Sequence, residues 1–476
     1  MSNLSRREFL ERSMMTAAAA ALPAAPLLAN TGPERRPGAN DILRIAVCGV
    51  KGRGLEHVGQ WSKMKDVQVA AIVDIDENVI GNAMDRVEKN SGAKPVYYQD
   101  FRKMLEDKSI DAVSVATCNH THTLISIHSV IAGKNVYVEK PLSHNVWEGR
   151  KLVEAARKYN KVVQHGTQNR SGGAQRKAAA FIAAGKLGPV KVSRGLCYKR
   201  RTSIGKKPDA PVPKGVDYNL WLGPAAERPF NPNFFHYNWH WHWDTGNGDI
   251  GNQGVHEIDK ARWFMGKTTL PLKVTCIGGR FGYEDDGETP NTQIVVFDYG
   301  DSQLMFEVRG LETEKYMGEQ IGNVVHCKEG YVAGYSAFDL NGKKIQMDVK
   351  EDGRATDHFR NFIEAAKAGK PELLNADVLE GHLSASLCHL ANISYRLGEL
   401  RPITKDDPFT CEEGNEAFNR TRKHLTENGV DLSKTQLKVG RTLSFDPKAE
   451  KFVNDAEADK LLTREYRKPF VVPENP

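Results

Sequence analysis

From residue 43 onward, the spacing of hydrophobic and polar positions changes period in a regular way. Residues 44–50 are an apolar run, a glycine-containing turn follows, and residues up to Gln60 place apolar side chains at helical spacing. Residues 67–74 are a second apolar run ending in Asp74; 79–89 read as helix, 96–98 as a short strand and 101–107 as helix. Strand 112–117, helix 124–132 and strand 134–142 complete the series. Apolar strands alternating with helices predict a parallel sheet covered on both faces. Beyond residue 190 the alternation stops. Runs at 190–198, 274–281, 293–299, 303–309 and 323–327 predict a second, mostly antiparallel sheet, and amphipathic helices are predicted at 357–363 and 378–397.

In a parallel sheet the carboxyl ends of the strands open onto the ligand crevice, so polar residues there carry weight. The first strand runs into Gly49-Val50-Lys51-Gly52-Arg53-Gly54, and Asp74 ends the second strand twenty residues after Gly54. This is the spacing of a Rossmann dinucleotide site: glycines admit a pyrophosphate to a helix N-terminus and the acid binds the ribose hydroxyls. Lys51 stands where the second glycine usually does and can face a phosphate. After Asp74 come Ile75, Asp76 and Glu77, with no arginine to receive a 2′-phosphate, which favours NAD over NADP. Thr117, Asn119 and His122 follow the fourth strand, and Glu139-Lys140-Pro141 ends the fifth, so all of these are expected along one sheet edge.

Composition changes this picture little. The 476 residues are 40% hydrophobic and 26% charged, which excludes a disordered chain, and the net charge of +6 is dispersed without a basic-aromatic stripe, which excludes a nucleic-acid footprint. Seven cysteines are scattered, never as C-x-x-C, and form neither a zinc motif nor an evident disulfide framework. The first thirty residues add more. Ser5-Arg6-Arg7-Glu8-Phe9-Leu10 precedes an alanine-rich run at 14–29, the outline of a twin-arginine export signal. Pro23 and Pro26 interrupt the run and it is shorter than the ~20 residues of a membrane span, so export to the periplasm or beyond through the twin-arginine machinery is expected, without a permanent anchor.

The glycine turn, the segment Ala116-Thr117-Cys118-Asn119-His120-Thr121-His122 and Glu139-Lys140-Pro141 together resemble the Gfo/Idh/MocA oxidoreductase family. The leader points to its exported, glucose-fructose oxidoreductase-like members. The resemblance implies an N-terminal Rossmann domain with a doubly wound parallel sheet and a C-terminal α/β domain with a large, mostly antiparallel, open-faced sheet, commonly paired in a homo-oligomer. It also implies activity on a sugar or cyclitol. The expected partition is a signal peptide at 1–30, a linker at 31–41, the nucleotide domain at 42–165, the substrate domain at 166–400 with closing helices at 357–398, and an extension at 401–476. Within this scheme 162–170 resembles the crossover strand and 174–184 the helix after it.

The second half offers Asn238-Trp239-His240-Trp241-His242-Trp243-Asp244, in which an extended backbone would put both histidines on one face and the rings on the other. A metal held by His240, His242 and His256 is possible on residue type, but the spacing does not demand one and none is expected. By resemblance, His256 and Asp259 match the family's substrate-side motif and Asn252 replaces its usual aspartate, leaving Asp249 or Asp244 as substitutes for the lost carboxylate. The predicted catalytic set is thus Lys140, His256, Asn252 and Asp259, with Lys140 on the substrate hydroxyl and His256 as a second proton carrier titrating near neutrality. The predicted cofactor set is Gly49, Lys51, Gly52, Arg53, Gly54, Asp74, Thr117, Asn119, His122, Glu139 and Lys140. The long basic segment 199–217 reads first as a surface insertion, then as a lid or oligomer arm.

An exported nicotinamide enzyme meets no ready cofactor pool, so NAD is expected to travel tightly bound and to be restored within the same site. Oxidation and reduction of small carbohydrates is the first reading. The alternatives are an NAD-dependent glycoside hydrolase working through transient oxidation, and a non-catalytic sugar-binding protein on the same fold.

Overall fold

A computed structural model describes residues 41–403 and 407–476. The export signal at 1–30 and nearly all of the linker lie outside these described residues. The first sheet has six parallel strands: β1 Leu43–Cys48, β2 Val67–Val73, β3 Val96–Tyr98, β4 Ala112–Val115, β5 Asn135–Val138 and β6 Val163–His165. Their order is β3-β2-β1-β4-β5-β6, the doubly wound Rossmann arrangement. β1 and β4, central and covered on both faces, are almost wholly buried, which is why they read as unbroken apolar runs.

The second sheet has twelve strands: β7 Val190–Cys197, β8 Lys273–Gly279, β9 Thr292–Asp298, β10 Gln303–Arg309, β11 Ile321–Cys327, β12 Gly330–Ala333, β13 Ser336–Asp339, β14 Lys344–Ile345, β15 Glu399–Pro402, β16 Gln436–Val439, β17 Leu443–Asp446 and β18 Lys451–Phe452. All pairs are antiparallel except β7 with β10. One face of β8–β10 packs Val274, Phe297 and Phe306 among side chains of the helices Gly254–Phe264 and Val378–Arg396. The other face is not left bare. Ile277, Ile294 and Met305 pack against Phe418 and Leu425 of the helix Glu412–Glu427, and Arg420 of that helix reaches the buried Glu307 at 2.6 Å.

The extension after Arg401, whose role the sequence left unassigned, is therefore part of the fold. It supplies that covering helix, the end of β15 and the three strands β16 to β18, and its last residues return to the nucleotide half, where Phe470 and Val472 join the core around β1, β2 and β4. Segment 199–217 is more than a surface insertion as well. Asp217 N donates to Ile75 O at 2.9 Å and Glu77 N to Gly215 O at 2.9 Å, so its end is pinned beside β2. The predicted strand at 162–170 stops at His165, where Gly166 and Thr167 leave the ladder and residues Gln168–Ser171 coil into a 3-10 turn. The Trp-His segment is not extended: Phe235–Trp241 is an irregular 3-10 stretch with His236 in the left-handed region at φ 60°. Five aromatic side chains cannot alternate cleanly where the backbone coils.

His120, His165 and His389 are buried among these layers, and burial pushes each imidazole down to about 3. Such a histidine binds fewer protons folded than unfolded, so its contribution is full above the unfolded value of 6.5 and is lost as pH falls from there toward 3. Each of the three is expected to contribute up to about 2 kcal/mol less at about pH 5 than at neutrality. Thermal unfolding followed from neutrality to that pH checks this; an unchanged melting temperature contradicts it.

Candidate active site

A cavity of about 340 Å³ runs along the carboxyl ends of β2, β1, β4 and β5. β2 and β5 lie three ladder spacings apart, ~14 Å, and a dinucleotide lies across such a crevice.

At the β1 end, Gly49 has φ 79°, and a side chain there would meet Ala116 O at 2.8 Å. A Cβ on Gly54 would stand 1.7 Å from Gly49 O, so the turn closes only on glycine. Gly52 is different: nothing lies within 4 Å of where its Cβ would be, and it faces the cavity at the N-terminus of the helix Arg53–Trp61, which no side chain caps. That combination of uncapped helix end and open glycine fits a pyrophosphate. Lys51 lines the same stretch.

Asp74 accepts from Val50 N at 2.7 Å and from Asp76 N at 3.1 Å, and burial pushes its carboxyl up to about 6 against those bonds. Asp76 accepts from His236 Nε2 at 2.6 Å. Burial opposes its ionisation, yet the hydrogen bonds from Asn78 and His236 hold it below the usual carboxylate range. His236, in its left-handed conformation, thus clasps the second half of the chain to the end of β2. Beyond Asp74 the wall turns apolar, with Phe101, Leu124, Leu220, Trp221 and Phe470. A planar base fits there.

At the β5 end, Glu139 is buried and fully engaged. Its Oε1 accepts from Arg53 Nε at 2.8 Å, His57 Nε2 at 3.0 Å and Gln168 Nε2 at 3.2 Å, while Oε2 accepts from Lys140 N at 3.1 Å. Burial would raise its pKa, but His57 and Arg53 hold it well below the carboxylate range. Behind His57, Trp61 Nε1 donates to Ser114 Oγ at 3.1 Å, and Ser114 Oγ meets His57 Nδ1 at 2.9 Å. The ionised Glu139 carboxylate can only accept, so the imidazole N–H sits on Nε2, facing it. Sequence reading missed His57, Ser114 and Gln168. The available signal was a polar residue on the inner face of a Rossmann helix and another inside a buried strand.

Lys140 Nζ donates to Asn252 O at 2.6 Å and lies 3.4 Å from Asn252 Oδ1. Burial lowers its pKa; Glu139 opposes the shift, and Arg53 and Lys199 reinforce it. His240 lines the cavity nearby, its Nδ1 2.6 Å from Tyr237 O. Burial, with the Lys140 charge, pushes His240 and His256 down to about 3. His256 is therefore a neutral imidazole at neutral pH and does not titrate there, contrary to expectation; its Nδ1 is buried without a partner. The group near it that burial brings toward neutrality is Glu257, pushed up to about 7.

Asn119, His122 and Thr117 line the cavity where β4 ends, although the helix there begins at Asn119, five residues earlier than the pattern predicted. Asn119 Nδ2 donates to Asn247 Oδ1 at 3.1 Å. His122 presents its two ring nitrogens to Pro141 O at 2.7 Å and Thr117 O at 3.0 Å, so it positions the Lys140 loop through main-chain carbonyls. Arg53 is likewise committed, to Glu139 and Glu56.

Asp259 does not join the site. It is buried in a bidentate pair with Arg170 and accepts from Ser384 at 2.7 Å, because the helical turn between His256 and Asp259 points the carboxylate toward Arg170. The proposed substitute carboxylates are also engaged elsewhere: Asp249 is forked by Arg201, and Asp244 lies by Arg464 at 3.8 Å. His240, His242 and His256 do not converge, and among the described residues no group of three or more His, Cys, Asp or Glu could hold a metal.

Residues 43–167 match the family model for the Gfo/Idh/MocA oxidoreductase family, NAD-binding Rossmann fold, and residues 185–416 and 404–472 that for the same family's C-terminal alpha/beta domain. Among curated relatives, glycosyl hydrolase family 109 protein 1 of Shewanella sp. (strain ANA-3) is 29% identical over 177 residues, 34% of this chain and 39% of that protein. Glycosyl hydrolase family 109 protein 2 of the same strain is 30% identical over 171 residues, 33% of this chain and 38% of that protein. The matched region thus spans about two fifths of those relatives' length. Among solved structures, the WlbA dehydrogenase from Bordetella pertussis, in complex with NADH and UDP-GlcNAcA, is similar at TM-score 0.56 and 18% identity over 75% of this chain and 97% of that one. The aldose-aldose oxidoreductase from Caulobacter crescentus, complexed with glycerol, is similar at TM-score 0.53 and 14% identity over 74% and 97%. Both are likenesses of fold.

Gly54→Ala is expected to force the turn apart, lowering the melting temperature and weakening nicotinamide-nucleotide affinity by about tenfold or more, a loss of at least ~1.4 kcal/mol. Thermal unfolding and calorimetric titration with NAD check both effects.

Proposed function

The chain belongs to the Gfo/Idh/MocA oxidoreductase family, and from that premise we propose that it oxidises and reduces a hydroxyl of a small carbohydrate or cyclitol with NAD held captive in its cavity. The observation that carries this reading is Lys140: an amine whose pKa burial lowers, in the same cavity as the glycine turn and Asp74. When bound, the nicotinamide supplies the hydride acceptor and donor. The chain's own residues would hold it and move the proton. Gly52 and the helix N-terminus behind it suit the pyrophosphate, Asp74 the ribose, and the Phe101-Trp221-Phe470 wall the base. A carboxylate at the end of β2 disfavours a 2′-phosphate, which supports NAD over NADP.

Lys140 takes the substrate hydroxyl proton during oxidation and returns it during reduction. The Asn252 carbonyl takes one of its N–H groups, which aims the amine, and burial brings the neutral form within reach below the usual lysine range. Neutral His240 and His256 offer hydrogen bonds to neighbouring hydroxyls without adding charge beside Lys140. Asn119, tied to Asn247, shapes the wall at the end of β4.

Captivity is supported by two segments from outside the Rossmann domain. The His236-Asp76 clasp with the end of 199–217 covers the β2 end, and the C-terminal strap places Phe470 in the cavity wall. A cofactor that stays put suits export through the twin-arginine pathway and a reaction that restores NAD in place. A second reading is favoured by the names of the curated relatives and by Asn252, which the family resemblance pairs with aspartate: hydrolysis of a glycoside through transient oxidation of the same hydroxyl.

Denaturing the purified protein is expected to release nicotinamide nucleotide, and Lys140→Met to keep that nucleotide while losing turnover. Turnover unchanged by Lys140→Met removes Lys140 from the mechanism. Assays without added NAD separate the two readings: release of a chromogenic aglycone supports hydrolysis, and paired oxidation of one sugar with reduction of another supports oxidoreduction. Phe470→Ala is expected to speed nucleotide loss on dialysis by about tenfold, the effect of ~1.4 kcal/mol, read as the nucleotide-to-protein absorbance ratio over time.

A further inference from the structure

A second cavity, of about 290 Å³, lies on the far side of Asn247 from Asn119. It is walled by the loop after β5, the helix Val378–Arg396, the end of the Trp-His segment and the strap at 460–465. It is separate from the nucleotide cavity, whose lining it does not share.

Its chemistry is donor-rich. Arg396 lies over the ring of Trp243 at 5.4 Å, and among the described residues no carboxylate stands within 4 Å of it, although the charges of Asp244 and Glu288 are felt from farther off. Arg464 donates to Asp244 O at 2.8 Å and contacts His144 Nδ1 at 3.3 Å, while its Nε–H is buried without an acceptor. Lys460 adds an ammonium, and Asp244 and Glu465 add the only carboxylates, so the lining carries one net positive charge.

His389 gives the second, independent sign of a ligand. It is 4% exposed, and it lines this cavity with Nδ1 unpartnered while Nε2 faces Ser143 Oγ at 3.3 Å. A buried ring nitrogen without a bond is costly unless something polar completes it. Burial pushes this imidazole down to about 3, so the missing partner meets a neutral ring and is a hydroxyl more readily than an anion. The guanidinium fork of Arg396, beside the Trp243 ring, suits a carboxylate.

We propose that this cavity binds a hydroxylated small carboxylate, a sugar acid of the uronate or aldonate type, with the carboxylate on Arg396 and a hydroxyl on His389. The volume admits one small molecule, and the site works independently of how the nucleotide cavity is read.

Titration calorimetry on the full chain loaded with its nucleotide, using glucuronate, gluconate, glucose and inorganic phosphate, tests it. Glucuronate or gluconate is expected to bind; glucose, which lacks the charged group for Arg396, and phosphate, which lacks a sugar hydroxyl to reach His389, are each expected to bind at least about tenfold more weakly. Arg396→Ala should weaken the sugar acid by about tenfold or more and Arg396→Lys only partly restore it, because the fork is lost while the charge remains. Arg396 is solvent-exposed, so these variants are expected to keep the parent melting temperature. Lys140→Met should leave the titration unchanged. Absence of binding by either acid, glucose or phosphate binding as tightly, insensitivity to Arg396→Ala, or loss of binding in Lys140→Met each overturns the assignment; the last would place the acid in the nucleotide cavity instead.

Discussion

A carboxylate kept charged without water organises one end of this molecule. Glu139 sits at the carboxyl end of β5 with four donors on its two oxygens, drawn from three separate segments of the chain. Arg53 and His57 arrive from the helix that the glycine turn begins, Gln168 from the chain leaving β6, and the Lys140 amide from the strand end itself. An ion removed from water is costly unless its lone pairs are met, and truncating one partner leaves the rest uncompensated. The same four contacts therefore tie the turn, the helix and the Lys140 loop into one rigid corner. Lys140 inherits its position from that corner and its acidity from the burial that the corner requires.

The second half of the chain is attached to this frame at points chosen by polarity. His236 reaches Asp76, segment 199–217 pairs with the end of β2, and Asn247 receives Asn119. None of these contacts is apolar, yet all lie on the rim of an apolar cavity, where a hydrogen bond is shielded from competing water. The strap that ends the chain works by the opposite means, inserting Phe470 and Val472 into the nucleotide-domain core. Polar clasps set where the second half sits, and burial of the strap adds hydrophobic stabilisation to hold it there.

Asn252 shows how one substitution reshapes the chemistry around a lysine. An aspartate in its place would stand beside the ammonium and favour the charged form; an amide supplies acceptors without a charge. With Asp249 forked by Arg201 and Asp259 forked by Arg170, the amine has Glu139 as its close carboxylate, and Glu139 is already engaged by Arg53 and His57. The neutral imidazoles of His240 and His256 follow from the same crowding, since burial beside a cation leaves no room for a second one.

Read alone, the chain already determined the parallel sheet, the glycine turn, Asp74, and Lys140 at a strand end, because each is local: an apolar run, a φ only glycine adopts freely, a charge where burial stops. It also carried the strands β7 to β11, although not that β8–β10 are covered on both faces. What it could not show depends on residues far apart in sequence. The direction of Asp259 is set by Arg170, the protonation of His256 by burial and Lys140, and the N–H of His57 by the Glu139 carboxylate that the tertiary fold sets against it. The polar extension after Arg401 hid a covering helix and three strands because β16 and β17 join the sheet through β8, more than a hundred residues away, and a strand's period says nothing until its neighbour is known. Local pattern decides which elements form, whereas the environment of a charge is decided only when distant segments meet.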